Sequence, residues 1–484
     1  MQATHHQRMS SVDTAWLRMD GPGHAMMIVG VAITAAPVAP RAFRRMLAER
    51  LLCYPRFRHK AVADPLGASW VEDENFDLDR HCEVIALPEP AGQPGLERLV
   101  AELASTPLDP RRPRWQMHLV ERYGTGSAWI IRVHHCYADG IAMIRVLLSM
   151  TEQDPAPALA AGQRGRRAAR PAASGAEPPR TGWAGRAMQP AGDLLEQVVV
   201  EGIRLLEGGV HQAFHPDRAA NLLRRTGNAL GEFTRLVTLP DDPPTPLRGP
   251  LSGQKVAAWG LPIPLDEVRT IARALGCTVN DVLMATVAGA LGSYLRGQGS
   301  DTQGLVLRAT VPVNLRSADE APALGNRFGL VYVDLPVGVA NPIERLHQAR
   351  DALLAIKRSE QPPLSLAVLS LLGMAPAGLQ APAIELFSRK SSAVVSNVPG
   401  PQSPLQVCGR PIREMYFWVP QSGSVGVGIS LLSYAGRACF GVIADRARVP
   451  EPRLLAERIG REFENLLLAV TVGMLASRPP AAST

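Results

Sequence analysis

The sequence is poor in cysteine and in aromatic residues, and both shortages argue against whole classes of protein. Its six cysteines form no Cys-x-x-Cys pair and no Cys/His cluster with the spacing of zinc ligands. Scattered thiols in a chain of 484 residues suit a reducing cytosol. Aromatic residues make up 5% of the chain and do not alternate with basic residues, so we expect no nucleic-acid-binding surface.

Long apolar runs are also missing. The first residues, MQATHHQRMSS, lack the apolar core of a signal peptide. The longest uncharged stretch, residues 361–384, is interrupted by prolines and glycines. It predicts a pair of buried or membrane-touching helices rather than a spanning helix. We therefore expect a cytoplasmic protein, with peripheral contact to the inner membrane face or a lipid droplet left open.

Several common catalytic motifs are absent from the sequence. There is no G-x-S-x-G, Walker loop, H-E-x-x-H or G-x-G-x-x-G. Their absence argues against a serine hydrolase, a nucleoside triphosphatase, a zinc protease and a dehydrogenase.

The positive charge of the chain is concentrated in one segment. The formal net charge is +7, and residues 155–190 hold six arginines against one acid, Glu177. This segment is rich in Ala, Pro and Gly and has no periodicity, which predicts a disordered linker. Its arginines either contact anionic lipid or belong to a solvated tether.

The apolar pattern on both sides of the linker predicts a mixed α/β fold with two halves. With 46% apolar and 20% charged residues, the chain is typical of a globular protein of two or more domains. We predict an N-terminal half at 1–154, the linker at 155–190, connecting helices within 191–240 (at 194–206 and 219–236), and a C-terminal half at 241–484. Two such halves favour a site at their interface.

The sharpest motif is H-H-x-x-x-D-G, read from His134 to Gly140 as HHCYADG. The two histidines end a strand predicted at 128–133, and Asp139-Gly140 begins a helix predicted at 140–150. Histidine titrates near neutral pH, so it can act as a general base where a strand end faces a cleft. Adjacent strand residues point to opposite faces, so only one histidine is expected to reach a substrate.

Three alternatives to a catalytic base remain open for this motif. Both histidines could be packing residues before an ordinary turn. A metal site is disfavoured because no third ligand stands at a helpful spacing. A nucleophilic Cys136 next to His135 is disfavoured because sequence neighbours rarely face the same way.

Taken together, three motifs make the chain resemble the bacterial wax ester synthase/acyl-CoA:diacylglycerol acyltransferase (WS/DGAT) family. They are HHCYADG, the later Asn280-Asp281, and SNVPGP from Ser396 to Pro401. The family belongs to a larger group of CoA-dependent acyltransferases with the H-H-x-x-x-D-G signature. Further segments that match it lie at 11–17, 311–316, 324–328 and 433–436, followed by Phe440-Gly and Asp445. The resemblance runs from about residue 10 to residue 470, apart from the linker.

The resemblance implies two chloramphenicol-acetyltransferase-like domains with a tunnel between them. His135 would be the general base that deprotonates an alcohol, which then attacks the thioester of acyl-CoA to form wax ester or triacylglycerol. His134 would position the loop, and Asp139 would pair with an arginine, for which Arg316 is the candidate. Gly140 would allow close backbone approach. No metal or redox cofactor is implied, and acyl-CoA and a lipid alcohol are the substrates.

The remaining residues that match the family have structural as well as functional interpretations. Thr278 and Asp281 have the spacing of a capping box, while Asn280 could be an oxyanion donor at the same helix start. Ser396 and Asn397 precede a Pro-Gly turn that is either a rigid turn or a tunnel wall near the acyl carbonyl. Together with Gly140, the residues Asn280, Asp281, Ser396 and Asn397 are our candidate substrate contacts.

The chain departs from the family at one place, and two rival functions remain. Where the family often has Pro-Leu-Trp, this chain has Pro113-Arg114-Trp115, and Trp115 could simply be a core strand residue.

One rival function is an acyltransferase or condensation-type enzyme that takes its acyl group from a carrier protein. The second is a lipid-binding or scaffold protein with a vestigial motif. Thiol release from free acyl-CoA distinguishes the first rival from our prediction.

Overall fold

The computed structural model describes residues 7–153, 235–316 and 324–476, apart from residues 22, 66, 237, 377 and 379. The predicted linker lies outside these ranges. So do nearly all of the connecting helices predicted between residues 194 and 236.

The described residues form strands and helices in both halves of the chain. The strands are β1 Gln7–Arg8, β2 Met27–Thr34, β3 His59–Asp64, β4 Gly67–Glu72, β5 Cys82–Ile85, β6 Trp115–Tyr123, β7 Gly126–His134, β8 Glu152–Gln153, β9 Lys255–Trp259, β10 Ile263–Pro264, β11 Leu307–Asn314, β12 Phe328–Leu335, β13 Ala393–Pro399, β14 Leu405–Val407, β15 Arg410–Trp418, β16 Val427–Tyr434 and β17 Arg437–Asp445. The α-helices are α1 Ser11–Arg18, α2 Pro40–Met46, α3 Gln93–Ser105, α4 Gly140–Met150, α5 Leu265–Ala274, α6 Val279–Gly297, α7 Pro342–Lys357, α8 Gln361–Met374, α9 Gln380–Ser388 and α10 Pro452–Ala476. A π-helical turn continues α2 at Leu47–Leu51.

The first large sheet has the strand order β5–β6–β7–β2–β15–β14–β8. Its interior strand β7 is rich in aromatic and β-branched residues and is buried along almost its whole length, as a strand covered on both faces should be. It pairs antiparallel with β6 and β2, with His134 opposite Met27. The predicted strand at 128–133 and the predicted helix at 140–150 are thus confirmed as β7 and α4.

The second large sheet has the order β10–β17–β16–β13–β11–β12, and β9 also pairs with β17. Strand β13 runs parallel to both of its neighbours, β11 and β16. Helix α6 is buried along most of its length among the apolar side chains of this half. Each large sheet therefore has its own apolar core.

Strand β15 belongs to the sheet of the N-terminal half although it comes from the C-terminal part of the chain. It pairs with β2, from Ile412 opposite Thr34 to Trp418 opposite Val29, with a bulge between Ile412 and Glu414. The bulge breaks the period-two pattern of buried residues, which is why the sequence pattern did not predict this strand. The domain boundary at residue 241 stays a prediction. Strand β15 follows that boundary in the chain but pairs with β2, which precedes it.

No single helix among the described residues is long and apolar enough to cross a membrane. One bent pair, α5 with α6, passes that test by length and composition, with a bend of 100° between the two helices. The uncharged stretch at 361–384 is a pair of helices, α8 and α9, as predicted.

Helix α1 packs against α8 through a glycine. A Cβ at Gly373 would lie 1.8 Å from the carbonyl oxygen of Ser11, so only glycine allows the two helices this close. Arg18 also stabilises the contact between α1 and α8, since its Nη1 donates to the carbonyl oxygen of Ala375 at 2.8 Å. The position of α1 therefore depends on the end of α8.

We expect Gly373→Ala to destabilise the protein by about 1–3 kcal/mol, because the added methyl group must push backbone away. Urea unfolding measures the loss. Gly460→Ala on α10 is the matched control, since a Cβ there meets nothing within 4 Å and alanine favours a helix by up to about 1 kcal/mol. Equal stability of the two variants would contradict the close α1–α8 contact.

Candidate active site

The motif loop joins the end of β7 to the start of α4. Asp139 caps α4, and its Oδ1 accepts a hydrogen bond from the backbone N–H of Ala142 at 2.9 Å. An aspartate at this place also stabilises the positive end of the helix dipole. The loop between His134 and Gly140 is therefore fixed at both ends by regular structure.

Asp139 also binds the C-terminal half of the chain. Its Oδ2 accepts from Arg316, at 2.9 Å from Nη2 and 3.2 Å from Nε, and from the backbone N–H of Arg327 at 3.0 Å. Both side chains of the ion pair are buried. The predicted contact between Asp139 and Arg316 is confirmed.

The backbone of Gly325 completes this junction. Its N–H donates to the carbonyl of Tyr137 at 3.0 Å, and its carbonyl accepts from the N–H of Asp139 at 3.2 Å. Gly325 has a φ of 112°, a conformation that favours glycine. The segment 324–328 is thus held against the motif loop.

His135 lies at the centre of the arrangement and is 5% exposed. Its ring stacks on Trp16 of α1, with 4.2 Å between ring centroids and 15° between planes, and Phe328 lies 5.5 Å away. Its Nδ1 lies 3.0 Å from Oδ1 of Asn326. The backbone N–H of His135 donates to the carbonyl of Met26 at 2.7 Å. Ring and backbone are therefore both held in place.

A cavity of about 150 Å³ opens beside His135. Its walls are mostly apolar and come from both halves of the chain; they include Trp16, Met26, Phe328, Leu369, Ile384 and Phe387. Burial lowers the pKa of His135 to about 4. The ring is therefore neutral at pH 7 and able to accept a proton.

His134 faces away from this cavity. Its Nε2 lies 3.6 Å from a carboxylate oxygen of Asp20, and its Nδ1 accepts from the backbone N–H of Cys136 at 3.1 Å. Asp20 in turn accepts from Arg114 at 3.1 Å. Burial lowers the pKa of His134, although Asp20 partly opposes the shift. Of the two histidines, His135 lines the cavity and His134 does not, and the contact of one histidine with substrate stays a prediction.

Cys136 is buried, and it does not line the cavity. Burial raises the pKa of its thiol well above the ordinary value, which keeps it protonated and weakly nucleophilic. Burial and the raised pKa therefore argue against the thiol as a nucleophile.

Gly140 lines a second, almost wholly apolar cavity of about 90 Å³ between α4 and the first large sheet. A Cβ at Gly140 would lie 3.3 Å from Cγ2 of Val398, tighter than an ordinary contact. The neighbour is a side chain, so α4 packs tightly against the end of β13 here, and a contact of Gly140 with substrate stays a prediction.

The remaining four candidate contacts lie away from the cavity at His135. Asp281 forms a full capping box with Thr278, and Nδ2 of Asn397 donates to Oδ1 of Asn280 at 2.8 Å. Ser396 is buried within β13. This geometry joins the start of α6 to the end of β13, and a contact of these residues with substrate stays a prediction.

Trp115 is fully buried in β6, where its Nε1 donates to the carbonyl of Phe57 at 2.7 Å. It is a core strand residue, which agrees with the structural interpretation of its motif.

Four residues around His135 had no role predicted from the sequence. These are Asp13, Trp16, Asn326 and Phe328. They lie in segments 11–17 and 324–328, which resemble the family, but neither spacing nor periodicity relates them to a histidine that is more than a hundred residues distant along the chain. The resemblance of these two segments to the family is the signal in the sequence that points to them.

Comparison with protein families identifies the chain. Residues 9–283 match the wax ester synthase/diacylglycerol acyltransferase catalytic domain, and residues 324–467 match the WS/DGAT C-terminal domain. The chain belongs to the wax ester synthase/diacylglycerol acyltransferase family. It is an O-acyltransferase of the kind that forms wax esters or triacylglycerol.

Individual proteins agree with this assignment. A Mycobacterium tuberculosis (strain H37Rv) protein named as a probable diacylglycerol O-acyltransferase is 29% identical over 464 residues, which cover 93% of this chain and 94% of that protein. The wax ester synthase/diacylglycerol acyltransferase of Marinobacter aquaeolei VT8 has a similar fold, with a TM-score of 0.65, 23% identity, and coverage of 96% of this chain and 100% of that one.

The fold is also shared outside the family. The first condensation domain of the calcium-dependent antibiotic synthetase has a TM-score of 0.56 at 15% identity and covers 96% of each chain. The predicted mixed α/β fold with two halves is confirmed.

We expect Asp139→Ala to lower the free energy of unfolding by about 3–5 kcal/mol, because it leaves the Arg316 charge buried without its carboxylate. Urea unfolding measures the change. Asn341→Ala is the matched control, since Asn341 caps α7 without a buried ion pair and its loss should cost about 1 kcal/mol. A loss no greater than that of the control would show that the ion pair does not hold the junction.

Proposed function

We propose that His135 is the general base for transfer of a fatty acyl group from acyl-CoA to a fatty alcohol or diacylglycerol. The observation that carries this proposal is a neutral, fixed imidazole on the wall of an apolar cavity between the two halves. An apolar wall suits an alkyl chain, and the ring is placed to accept a proton there.

The proposed reaction has two steps. The hydroxyl of the acceptor gives its proton to the ring as its oxygen attacks the thioester carbonyl, forming a C–O bond and a tetrahedral oxyanion. The oxyanion then collapses, the C–S bond breaks, and the CoA thiolate takes the proton from the imidazolium. The products are an ester and free CoA, so the proposed reaction requires no redox cofactor or metal.

The surroundings of the ring support this role. Trp16 and Phe328 shield it from water, which would otherwise compete with the lipid acceptor as a nucleophile. Free acyl-CoA as donor is part of the proposal, and a carrier-protein donor is its rival.

The proposal predicts that His135→Ala loses activity by about 10²–10⁴-fold, the usual contribution of a general base. Purified protein would be incubated with palmitoyl-CoA and either hexadecanol or a diacylglycerol, following CoA thiol and ester product. His347→Ala, at an exposed position on α7, should keep full activity and is the matched control. Full activity of His135→Ala would refute the proposed base, and a wild-type protein active only with an acylated carrier protein would favour the rival donor.

We propose further that α8 contacts the lipid surface from which the acceptor enters. Leu371 and Met374, three residues apart and so on one face, are 40% and 57% exposed. Leu369 and Leu372 of the same helix line the cavity. One helix thus reaches from the cavity to an exposed apolar surface.

The double variant Leu371→Asn/Met374→Gln should bind vesicles about 30-fold more weakly, since each apolar side chain contributes roughly 1 kcal/mol when it enters lipid. Co-sedimentation with phosphatidylcholine/phosphatidylglycerol vesicles measures binding. Leu468→Asn/Val472→Asn on α10 removes an apolar pair that is 63% and 55% exposed, and it is the matched control. Equal binding of the two double variants would contradict a contact through α8.

A further inference from the structure

The side chain of Asn326 uses every hydrogen-bonding group it has. Its Nδ2 donates to Oδ1 of Asp13 at 2.8 Å and to the carbonyl oxygen of His135 at 2.7 Å. Its Oδ1 faces Nδ1 of His135 at 3.0 Å. A carbonyl oxygen can only accept, and Oδ1 of Asp13 also accepts from the backbone N–H of Asn326, so the orientation of the amide is determined by its neighbours.

This orientation determines which ring nitrogen of neutral His135 carries the proton. An amide oxygen is only an acceptor, so Nδ1 must donate and therefore holds the hydrogen. The lone pair then lies on Nε2, and no described residue forms a hydrogen bond with that atom. Nε2, the atom free to accept a proton, therefore belongs to the His135 ring, which lines the cavity.

Asp13 holds the amide in place. It is 3% exposed and lies in the first turn of α1, where its backbone N–H donates to Oγ of the cap Ser10 at 3.0 Å. Its Oδ1 also accepts from the backbone N–H of Asn326 at 3.0 Å. Helix α1 therefore supplies both the Trp16 ring that stacks on His135 and the carboxylate that fixes its partner.

We propose that Asn326, anchored by Asp13, is a positioning residue that holds His135 in the Nδ1–H tautomer and so makes Nε2 the base. The proposal rests on the proposed function of His135 and adds to it two residues that touch no reacting atom. Asn326 and Asp13 act through the ring, one directly and the other through the amide.

The exchange variant Asp13→Asn/Asn326→Asp tests the proposal through its pH profile. The carboxylate then faces Nδ1 and favours the imidazolium, while the new amide at position 13 can donate to it. The remaining charged or titratable groups near the ring and its partners are Asp139, His134, Cys136 and Arg56, and all four are unchanged. For the wild type, kcat/KM should fall as pH drops through about 4, because protonation removes the base. The exchange should raise the pH at which kcat/KM falls by about one unit or more.

A second variant and a control separate positioning from stability. Asn326→Leu, which leaves Nδ1 without an acceptor, should lower kcat by roughly tenfold or more with KM nearly unchanged, as expected for a wrong tautomer. Asn341→Asp repeats the Asn→Asp half of the exchange at the exposed cap of α7 and should leave kcat and the pH dependence of kcat/KM as in the wild type. Thermal unfolding verifies that each variant is folded.

The wild-type protein gives a test that needs no folded variant at this site. In protein labelled with ¹⁵N-histidine, the His135 signals, assigned by their loss in His135→Gln, should show a protonated Nδ1 and an unprotonated Nε2 at pH 7. The opposite tautomer would overturn the proposal, and so would an exchange variant with an unshifted acid limb. An inactive His135→Ala together with those results leaves the general base intact, whereas an active His135→Ala removes the proposed function itself.

Discussion

The carboxylate of Asp139 joins the two halves of the chain next to His135, the proposed base. One oxygen caps α4, and the other receives the Arg316 guanidinium and the backbone N–H of Arg327. A buried arginine without this partner would carry a large desolvation penalty, so the segment after β11 has one favourable place to lie. That place sets Asn326 and Phe328 beside His135, and the rest of the site depends on it.

The site combines two opposing requirements. Aromatic stacking and burial keep water away and keep the ring neutral, yet a buried ring N–H needs a hydrogen-bond acceptor. A charged acceptor would favour the protonated ring, whereas the amide oxygen of Asn326 satisfies the N–H without doing so. The carboxyl group of Asp13, whose pKa is raised by burial, binds the amide of Asn326. Because its partner Asn326 is uncharged, the buried ring of His135 has its N–H satisfied and stays neutral.

Local chemistry was predictable from the sequence, and contacts between distant segments were not. The strand, turn and helix around His135 follow from strand composition and from a capping aspartate, and the capping box at Thr278 follows from its spacing. The partner of Asp139 could be named only through a family resemblance. Asp13 and Asn326 are 313 residues apart, and no periodicity relates them. Strand β15 escaped prediction because a bulge interrupts its alternation.

The insertion of β15 next to β2 has a consequence for how the protein is made. The sheet that holds the catalytic motif lacks β15 and β14 until about residue 418 has left the ribosome, although β2 and β7 are synthesised hundreds of residues earlier. Pairing over such a separation is entropically costly and slow. Until then β2 of the nascent N-terminal half is an edge strand, unpaired on the side that β15 will occupy. In that state chaperones would protect the chain from aggregation.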